Sequence, residues 1–146
     1  MFNKTFIGHT FEDKVIHVEM GKLQFFSKVI GEKNPIYFNE KEALKQGYRS
    51  ILAPLTYIFS LTLEQESYEE KYGAMGIDLQ KLLHGEQRFE YSGDVCAGDI
   101  ITISSKIVDI FTKKNSSLDF MIEEMNVKNK QKENIAILRQ TLLMRI

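Results

Sequence analysis

Two periodicities divide the chain. Over residues 19–30, Leu23, Phe26 and Ile30 recur three and four apart, which predicts a helix with one apolar face. Gly31 ends it, with the cation Lys28 in its last turn. In the second half the period falls to two, predicting strands over 87–91, 99–111, 118–127 and 134–146. Ile101, Ile103 and Ile107 share one strand face, and Leu118, Phe120 and Ile122 share another. The links between these strands are turn chemistry. Residues 92–98 carry two glycines, and 113–117 and 128–133 read as polar hairpin tips. Consecutive strands joined by short loops make an antiparallel sheet.

The front half supplies what that sheet covers. Residues 5–18 read as a short strand or arm. Residues 32–37 must turn, because Asn34 precedes Pro35 and is pushed out of the helical region. A second short helix over 39–46 is capped by Asn39 and stopped by Gly47. The run 53–63 is apolar nearly all round, and Pro54 suits a first helical position, so a helix buried on most sides is expected there. The expected fold is α+β, a curved antiparallel sheet wrapped around a long central apolar helix, in a single domain spanning 1–146.

Composition narrows the function classes. Nineteen basic residues oppose twenty acidic ones for a net charge of -1, which lacks the one-sided basic field of a nucleic-acid binder. The single cysteine, Cys96, excludes an internal disulfide framework and a multi-thiolate zinc site, and it has no neighbouring base in sequence. His9 and His17 lack ligand spacing, so no metal and no cofactor are expected. Residues 1–11 contain no secretory apolar run, and the longest mostly apolar stretch, 51–63, is too short to span a bilayer. A cytoplasmic protein with no membrane and no nucleic-acid partner is expected.

Three blocks carry a family resemblance. Residues 26–37 (Phe-Ser-Lys-Val-Ile-Gly-Glu-Lys-Asn-Pro-Ile-Tyr) resemble the hydratase motif of MaoC-like proteins, which runs Ser/Gly-Gly-Asp-x-Asn-Pro-x-His. Residues 47–57 (Gly-Tyr-Arg-Ser-Ile-Leu-Ala-Pro-Leu-Thr-Tyr), residues 83–91 and Ala97-Gly98-Asp99 look like its N-terminal, FAS1-like dehydratase branch. The resemblance implies a hotdog fold. It implies a dimer, either of identical chains or with a related hotdog subunit, and an acyl-CoA or acyl-carrier-protein thioester as ligand. The implied reaction is reversible addition of water to a trans-2-enoyl thioester, giving the (3R)-hydroxyacyl form in fatty-acid metabolism. Helices before a curved sheet also fit a cone-shaped α+β pocket fold; the 47–57 block argues for the hotdog.

That reaction needs a base for water, a proton for C2 and donors for the thioester oxygen. By resemblance Glu32 stands at the family's catalytic aspartate position and Tyr37 at its histidine position, with Asn34 and Pro35 retained. Glutamate keeps the carboxylate. A tyrosine of ordinary pKa ~10 cannot act as a base at neutral pH, though it can donate. The expected substrate-binding residues are Asn34, Ala53, Leu55, Thr56, Tyr57 and His84, with the thioester at the N-terminus of the 53–63 helix. Because Pro54 has no N–H, any backbone donor must be Leu55, Thr56 or a residue before the proline. Two readings stay open: a hydratase using Glu32 and Tyr37, and a non-catalytic acyl-binding half that pairs with a dyad-bearing subunit. A thioesterase is a third, but Glu64 and Glu66 fall at the far end of the helix. The lysine tips at 113–114 and at 128, 130 and 132 could meet phosphates or an acidic carrier. Tyr72 to Gly76 reads as a flexible loop with Gly73 and Gly76 as hinges and Met75 over an acyl chain.

Overall fold

Alternation along the strands sorts the two sides of one antiparallel sheet. In the computed structural model, which describes residues 1–64, 66–113 and 117–145, the sheet contains β1 (Lys14–His17), β2 (Leu82–Tyr91), β3 (Ile100–Thr112), β4 (Leu118–Lys128) and β5 (Asn134–Arg145). The spatial order is β1-β3-β4-β5-β2. On β4 the odd-numbered Met121, Glu123, Met125 and Val127 are buried, and on β5 the even-numbered Ala136, Leu138, Gln140 and Leu142. Register shifts at Ile107/Asp109 and His84/Glu86 add twist and bend, which curves the sheet. At the second of these, a Cβ on Gly85 would come within 2.7 Å of Leu143 Cδ1. The bulge therefore accommodates only glycine without moving Leu143.

The strands expected from the two-residue period are all present. β2 begins at Leu82, earlier than expected, because its first half pairs with Leu142 to Met144 of β5. The fold is the expected curved antiparallel sheet with helices on its concave face. The hairpin tip expected at 113–117 falls largely on residues 114–116, which lie outside the described residues, as do Gln65 and Ile146.

Helix α1 (Met20–Val29) turns Leu23 and Ser27 inward. It ends in a Schellman motif: Glu32 N–H donates to Ser27 O at 2.9 Å and Gly31 N–H to Lys28 O at 3.1 Å, with Gly31 at φ +76°. Helix α2 (Glu40–Lys45) is capped by the Asn39 side chain, as expected.

The central helix is much shorter than expected. Helix α3 covers Tyr57–Thr62, and Pro54 lies outside it. Two causes act. Ala53 is still extended, its N–H bonded to Val95 O at 2.8 Å, so Pro54 opens a turn closed by Tyr57 N–H to Pro54 O at 2.8 Å. At the other end the Thr62 hydroxyl donates to Phe59 O at 2.6 Å, competing with the helical ladder. Tyr57, Ile58 and Leu61 still fill the core, beside Ile101, Met125 and Leu138.

The 72–76 segment is not the flexible cover expected. Helix α4 (Tyr68–Gly73) begins with a capping box, in which Ser67 Oγ accepts from Glu70 N–H at 3.2 Å and Glu70 accepts from Ser67 N–H at 2.8 Å. Tyr72 is fully buried, and Met75 packs on a second apolar cluster with Ile107, Met121 and Leu142.

Between the two clusters lies a buried polar row. Lys71 Nζ donates to the Glu123 carboxylate and, at 3.3 Å, to Ser105 Oγ. The Tyr72 hydroxyl donates to the other Glu123 oxygen. Gln140 Nε2 donates to that oxygen at 2.9 Å and to the Tyr72 hydroxyl at 2.7 Å, while Gln140 Oε1 accepts from Tyr68 at 3.0 Å. Glu123 is 0 % exposed, so its ionic form depends on these donors. We expect Glu123→Leu alone to cost about 3–5 kcal/mol, because it strands the Lys71 charge, and Lys71→Met/Glu123→Leu together to recover most of that. Urea melts of both variants check this; equal losses would contradict it.

Candidate functional site

The segment after α1 is held by its own backbone. Glu32 Oε1 accepts from the N–H groups of Lys33 at 2.7 Å and Asn34 at 3.0 Å. Asn34 Oδ1 accepts from Ile36 N–H at 3.2 Å, opening a 3-10 turn over Pro35–Tyr37. Gln24 of α1 donates to Phe38 O at 2.9 Å, which fixes the turn against the helix. Asn34 is thus a turn former with an exposed side chain.

A short extended segment carries this turn to the rest of the site. Leu52 N–H donates to Ile36 O at 3.1 Å. On its other side, Ala97 N–H donates to Ile51 O at 2.9 Å and Ala53 N–H to Val95 O at 2.8 Å. The Ala53 amide is therefore engaged and cannot face a ligand. Arg49 adds a clamp, with Nη2 donating to Asp99 Oδ2 at 2.7 Å and to Asp94 O at 3.2 Å. Asp99 Oδ2 also accepts from Cys96 N–H at 2.8 Å. The buried Cys96 is thereby part of the loop's hydrogen-bonding frame.

Beyond Ala53 the chain turns into α3. Among the described residues, nothing accepts a hydrogen bond from the Leu55 or Thr56 N–H. The Leu55 carbonyl is pinned by the Tyr91 hydroxyl from β2. A helix of six residues has little macrodipole, so what this end offers is two unoccupied backbone donors.

Burial and charge set the two motif residues apart. The two backbone donors hold the Glu32 carboxyl below the usual carboxylate range. Burial, with the Glu32 and Asp94 carboxylates and the Tyr48 phenol nearby, pushes the Tyr37 phenol above its ordinary value. Tyr37 is therefore neutral at physiological pH and can donate a hydrogen bond.

The structure disperses some of the expected binding residues. Tyr57 is 4 % exposed and packs edge-on to Phe26 with ring centroids 5.0 Å apart. Its hydroxyl donates to Glu64 Oε1 at 3.2 Å, and it belongs to the core, not to a ligand surface. His84 is exposed on β2, with Nε2 3.0 Å from Glu86 O and its ring 5.1 Å from that of Phe59. It makes no hydrogen bond or ring contact with Glu32 or Tyr37. Leu55 is 61 % exposed. Glu64 and Glu66 are tied to Lys22 and Lys14, so neither is free to attack a carbonyl. Tyr48, Arg49, Asp94 and Tyr91 complete the site without having been assigned roles from sequence. All but Asp94 lie in the 47–57 and 83–91 blocks. Among the described residues, no group of three or more His, Cys, Asp and Glu could hold a metal, and no helix is long and apolar enough to cross a membrane.

The family described as FAS1-like, dehydratase domain region, matches residues 5–138. A UPF0336 protein of Thermobifida fusca is 30% identical over 109 residues, covering 74% of this chain and 72% of its own. One from Streptomyces avermitilis is 29% identical over 109 residues, covering 74% and 73%. Among solved structures, the C-terminally truncated HadBC (3R-hydroxyacyl-ACP dehydratase) complex of Mycobacterium tuberculosis aligns with a TM-score of 0.81. It is 19% identical and covers 98% of this chain and 99% of that one. The ChsH1-ChsH2 complex of the same organism gives 0.77 at 18% identity, over 94% and 84%.

The ionisation of the pair is measurable. We expect the Glu32 side-chain carbon signal to titrate below about pH 4.3, the ordinary glutamate value. Because the folded-state value is lowered, whatever stability the ionised group adds is present above that pH and is lost as pH falls through the folded value. An ultraviolet difference titration against Tyr37→Phe should show Tyr37 ionising above about pH 10. A midpoint near neutrality for either group would contradict the geometry.

Proposed function

Because the chain belongs to the FAS1-like dehydratase family, we propose that it is the acyl-thioester-binding subunit of a hotdog hydro-lyase, completed by a related subunit that carries the proton-transferring pair. The reaction of the assembly is the reversible interconversion of a (3R)-hydroxyacyl thioester and a trans-2-enoyl thioester plus water. The observation that carries this reading is the state of Glu32 and Tyr37. One carboxylate oxygen is saturated by two amides of its own turn, which lowers its basicity. Its partner is a phenol that stays protonated at neutral pH. Such a pair cannot take a proton from water and return it at C2 with the efficiency of a carboxylate and an imidazole.

The chain's remaining features suit binding. The Leu55 and Thr56 amides can accept the thioester oxygen as it gains charge. Tyr37 can add a donor. The apolar side chains that would meet an acyl group or a second subunit stand open: Phe25 is 69 %, Val29 66 %, Leu55 61 % and Leu83 50 % exposed. A second subunit laid along α3 and the β2 edge would cover Leu55 and Leu83 and close a site that one chain leaves open. The heteromeric HadBC and ChsH1-ChsH2 complexes support pairing with a related hotdog subunit.

A second reading keeps the chain catalytic by itself, as a homodimer. It rests on Glu32 Oε2, which has no hydrogen-bond partner among the described residues and could accept a proton. A single experiment separates the two. The purified chain is mixed with enoyl thioesters of short, medium and long chain, on coenzyme A and on carrier protein, with and without a dyad-bearing hotdog subunit. Enoyl absorbance is followed. The expected result is turnover only in the mixture, and a loss below about tenfold for Glu32→Gln, against the ~10²–10⁴-fold expected of a missing general base. Turnover by the chain alone that Glu32→Gln abolishes would establish the second reading.

A further inference from the structure

Helix α1 buries one side and leaves the other bare. Leu23 and Ser27 face the core, and Phe26 packs edge-on to Tyr57. On the opposite side Phe25 is 69 % and Val29 66 % exposed. These two stand four residues apart, one turn along the same face. We propose that this face is a docking surface for an acidic amphipathic helix of another protein. It is a different surface from α3 and the β2 edge, along which the second subunit was laid above, so the proposal does not depend on the hydro-lyase reading.

Three observations carry it. The first is shape. Gly21 continues the Phe25–Val29 line one turn toward the helix start, and a Cβ there would meet nothing within 4 Å. The line therefore runs from a low point to two raised apolar side chains, over a helix about 15 Å long. A ridge with a gap at one end suits a second helix, whose own ridge fills the gap. An extended segment would need backbone partners, and those of α1 are spent within the helix.

The second is charge. Residues 20–49 hold α1, the Pro35–Tyr37 turn and α2. They carry six lysines and arginines against three glutamates, on a chain whose net charge is -1. The three elements form one body: Gln24 of α1 donates to Phe38 O at 2.9 Å, and Asn39 N–H donates to Pro35 O at 2.8 Å. Within that body Lys22, Lys45 and Arg49 are paired with Glu64, Glu42 and Asp99. Lys28, Lys33 and Lys41 are exposed, and among the described residues their ammonium groups have no ion pair or hydrogen bond. Lys28 lies three residues from Phe25 and flanks the ridge directly.

The third is what that charge selects. A second copy of this face, set against the first on a two-fold axis, would bring like charges together, which costs affinity. An anionic membrane would attract the lysines, but it needs a helix free to sink its apolar side, and the inner side of α1 is held in the core. A partner helix with leucines along one side and carboxylates beside them meets the ridge and the lysines together.

The test uses the full chain, 15N-labelled, and two designed helical peptides with leucine at every third or fourth position. One peptide carries glutamate at the remaining positions and the other lysine. The acidic peptide should shift the amides of 20–30 and 33, with an affinity that falls as salt rises, and the basic peptide should shift none of them. Phe25→Ser should weaken the acidic peptide about tenfold and Lys28→Glu about fivefold, while Lys130→Glu, on the tip between β4 and β5, should leave it unchanged. All three positions lie outside the core, so the melting temperature should stay at the wild-type value. A loss with Lys130→Glu equal to that with Lys28→Glu means general charge attraction and overturns the proposal. Shifts confined to other segments overturn it too. So do larger shifts with phosphatidylglycerol vesicles than with the peptide, or a concentration-dependent dimer in sedimentation that Phe25→Ser abolishes. Repeating the titration with a dyad-bearing subunit bound separates the two readings. Shifts that persist support docking beside the assembled site. Shifts that vanish place that subunit on α1 and overturn the docking surface alone. Retained shifts with no turnover under any pairing overturn the hydro-lyase reading alone.

Discussion

Three backbone hydrogen bonds around residues 51–53 hold the functional side of this protein together. Leu52 reaches Ile36 on one side, and Ile51 and Ala53 reach Ala97 and Val95 on the other. None of the three segments is part of the main sheet. Each is an irregular stretch whose position would otherwise be set only by its own turn. Paired, they form a small ladder that carries the Glu32–Tyr37 turn, the Pro54–Thr56 turn and the 92–99 loop as one unit. Arg49 and Asp99 reinforce it, since one carboxylate oxygen accepts from a guanidinium and from the Cys96 amide. Arg49 is largely exposed, so the pair adds little stability of its own; its effect is to orient two loops at once.

The ladder explains why the helix at the site is short. Extending α3 back to Pro54 would require Ala53 to leave the extended conformation and give up its bond to Val95. The chain keeps the ladder and begins the helix at Tyr57. What is lost is dipole strength at the helix end; what remains is a pair of amides fixed by a turn whose carbonyl the Tyr91 hydroxyl holds from β2. For charge that develops on an oxygen, fixed donors matter more than a long dipole, whose effect falls off within the first turn.

Much of this was readable in the residues, and the parts that were not have specific causes. The strands were legible because a sheet with one covered face writes itself as alternation, and Glu123 and Gln140 keep that register even though they are polar. Helix α1 and its stop at Gly31 were legible because capping is local. The extent of α3 was not. An apolar run of aromatic and β-branched residues has no internal signal for where tertiary pairing ends and helix begins. Helix α4 was missed although Ser67 and Glu70 stand at capping-box spacing, because the glycines after Tyr72 read as a loop. Glu32 and Tyr37 were placed by motif alone. The Tyr37 phenol is raised first by burial, then by Glu32, with Tyr48 and Asp94 adding, and Asp94 is more than fifty residues away in sequence, where no local pattern brings it near.

Exposure decides how the site must be finished. A soluble chain seldom leaves large apolar side chains in a contiguous open patch unless something covers them. Here Phe25 and Val29 stand one helical turn apart on the exposed face of α1, and Leu55 and Leu63 bracket α3. In the proposed hydro-lyase reaction water must be admitted to one carbon of the thioester and kept from the rest, which an open donor pair cannot do. On the proposed reading the chain supplies the Leu55 and Thr56 backbone donors and exposed apolar side chains, and a partner subunit supplies the enclosure and the base.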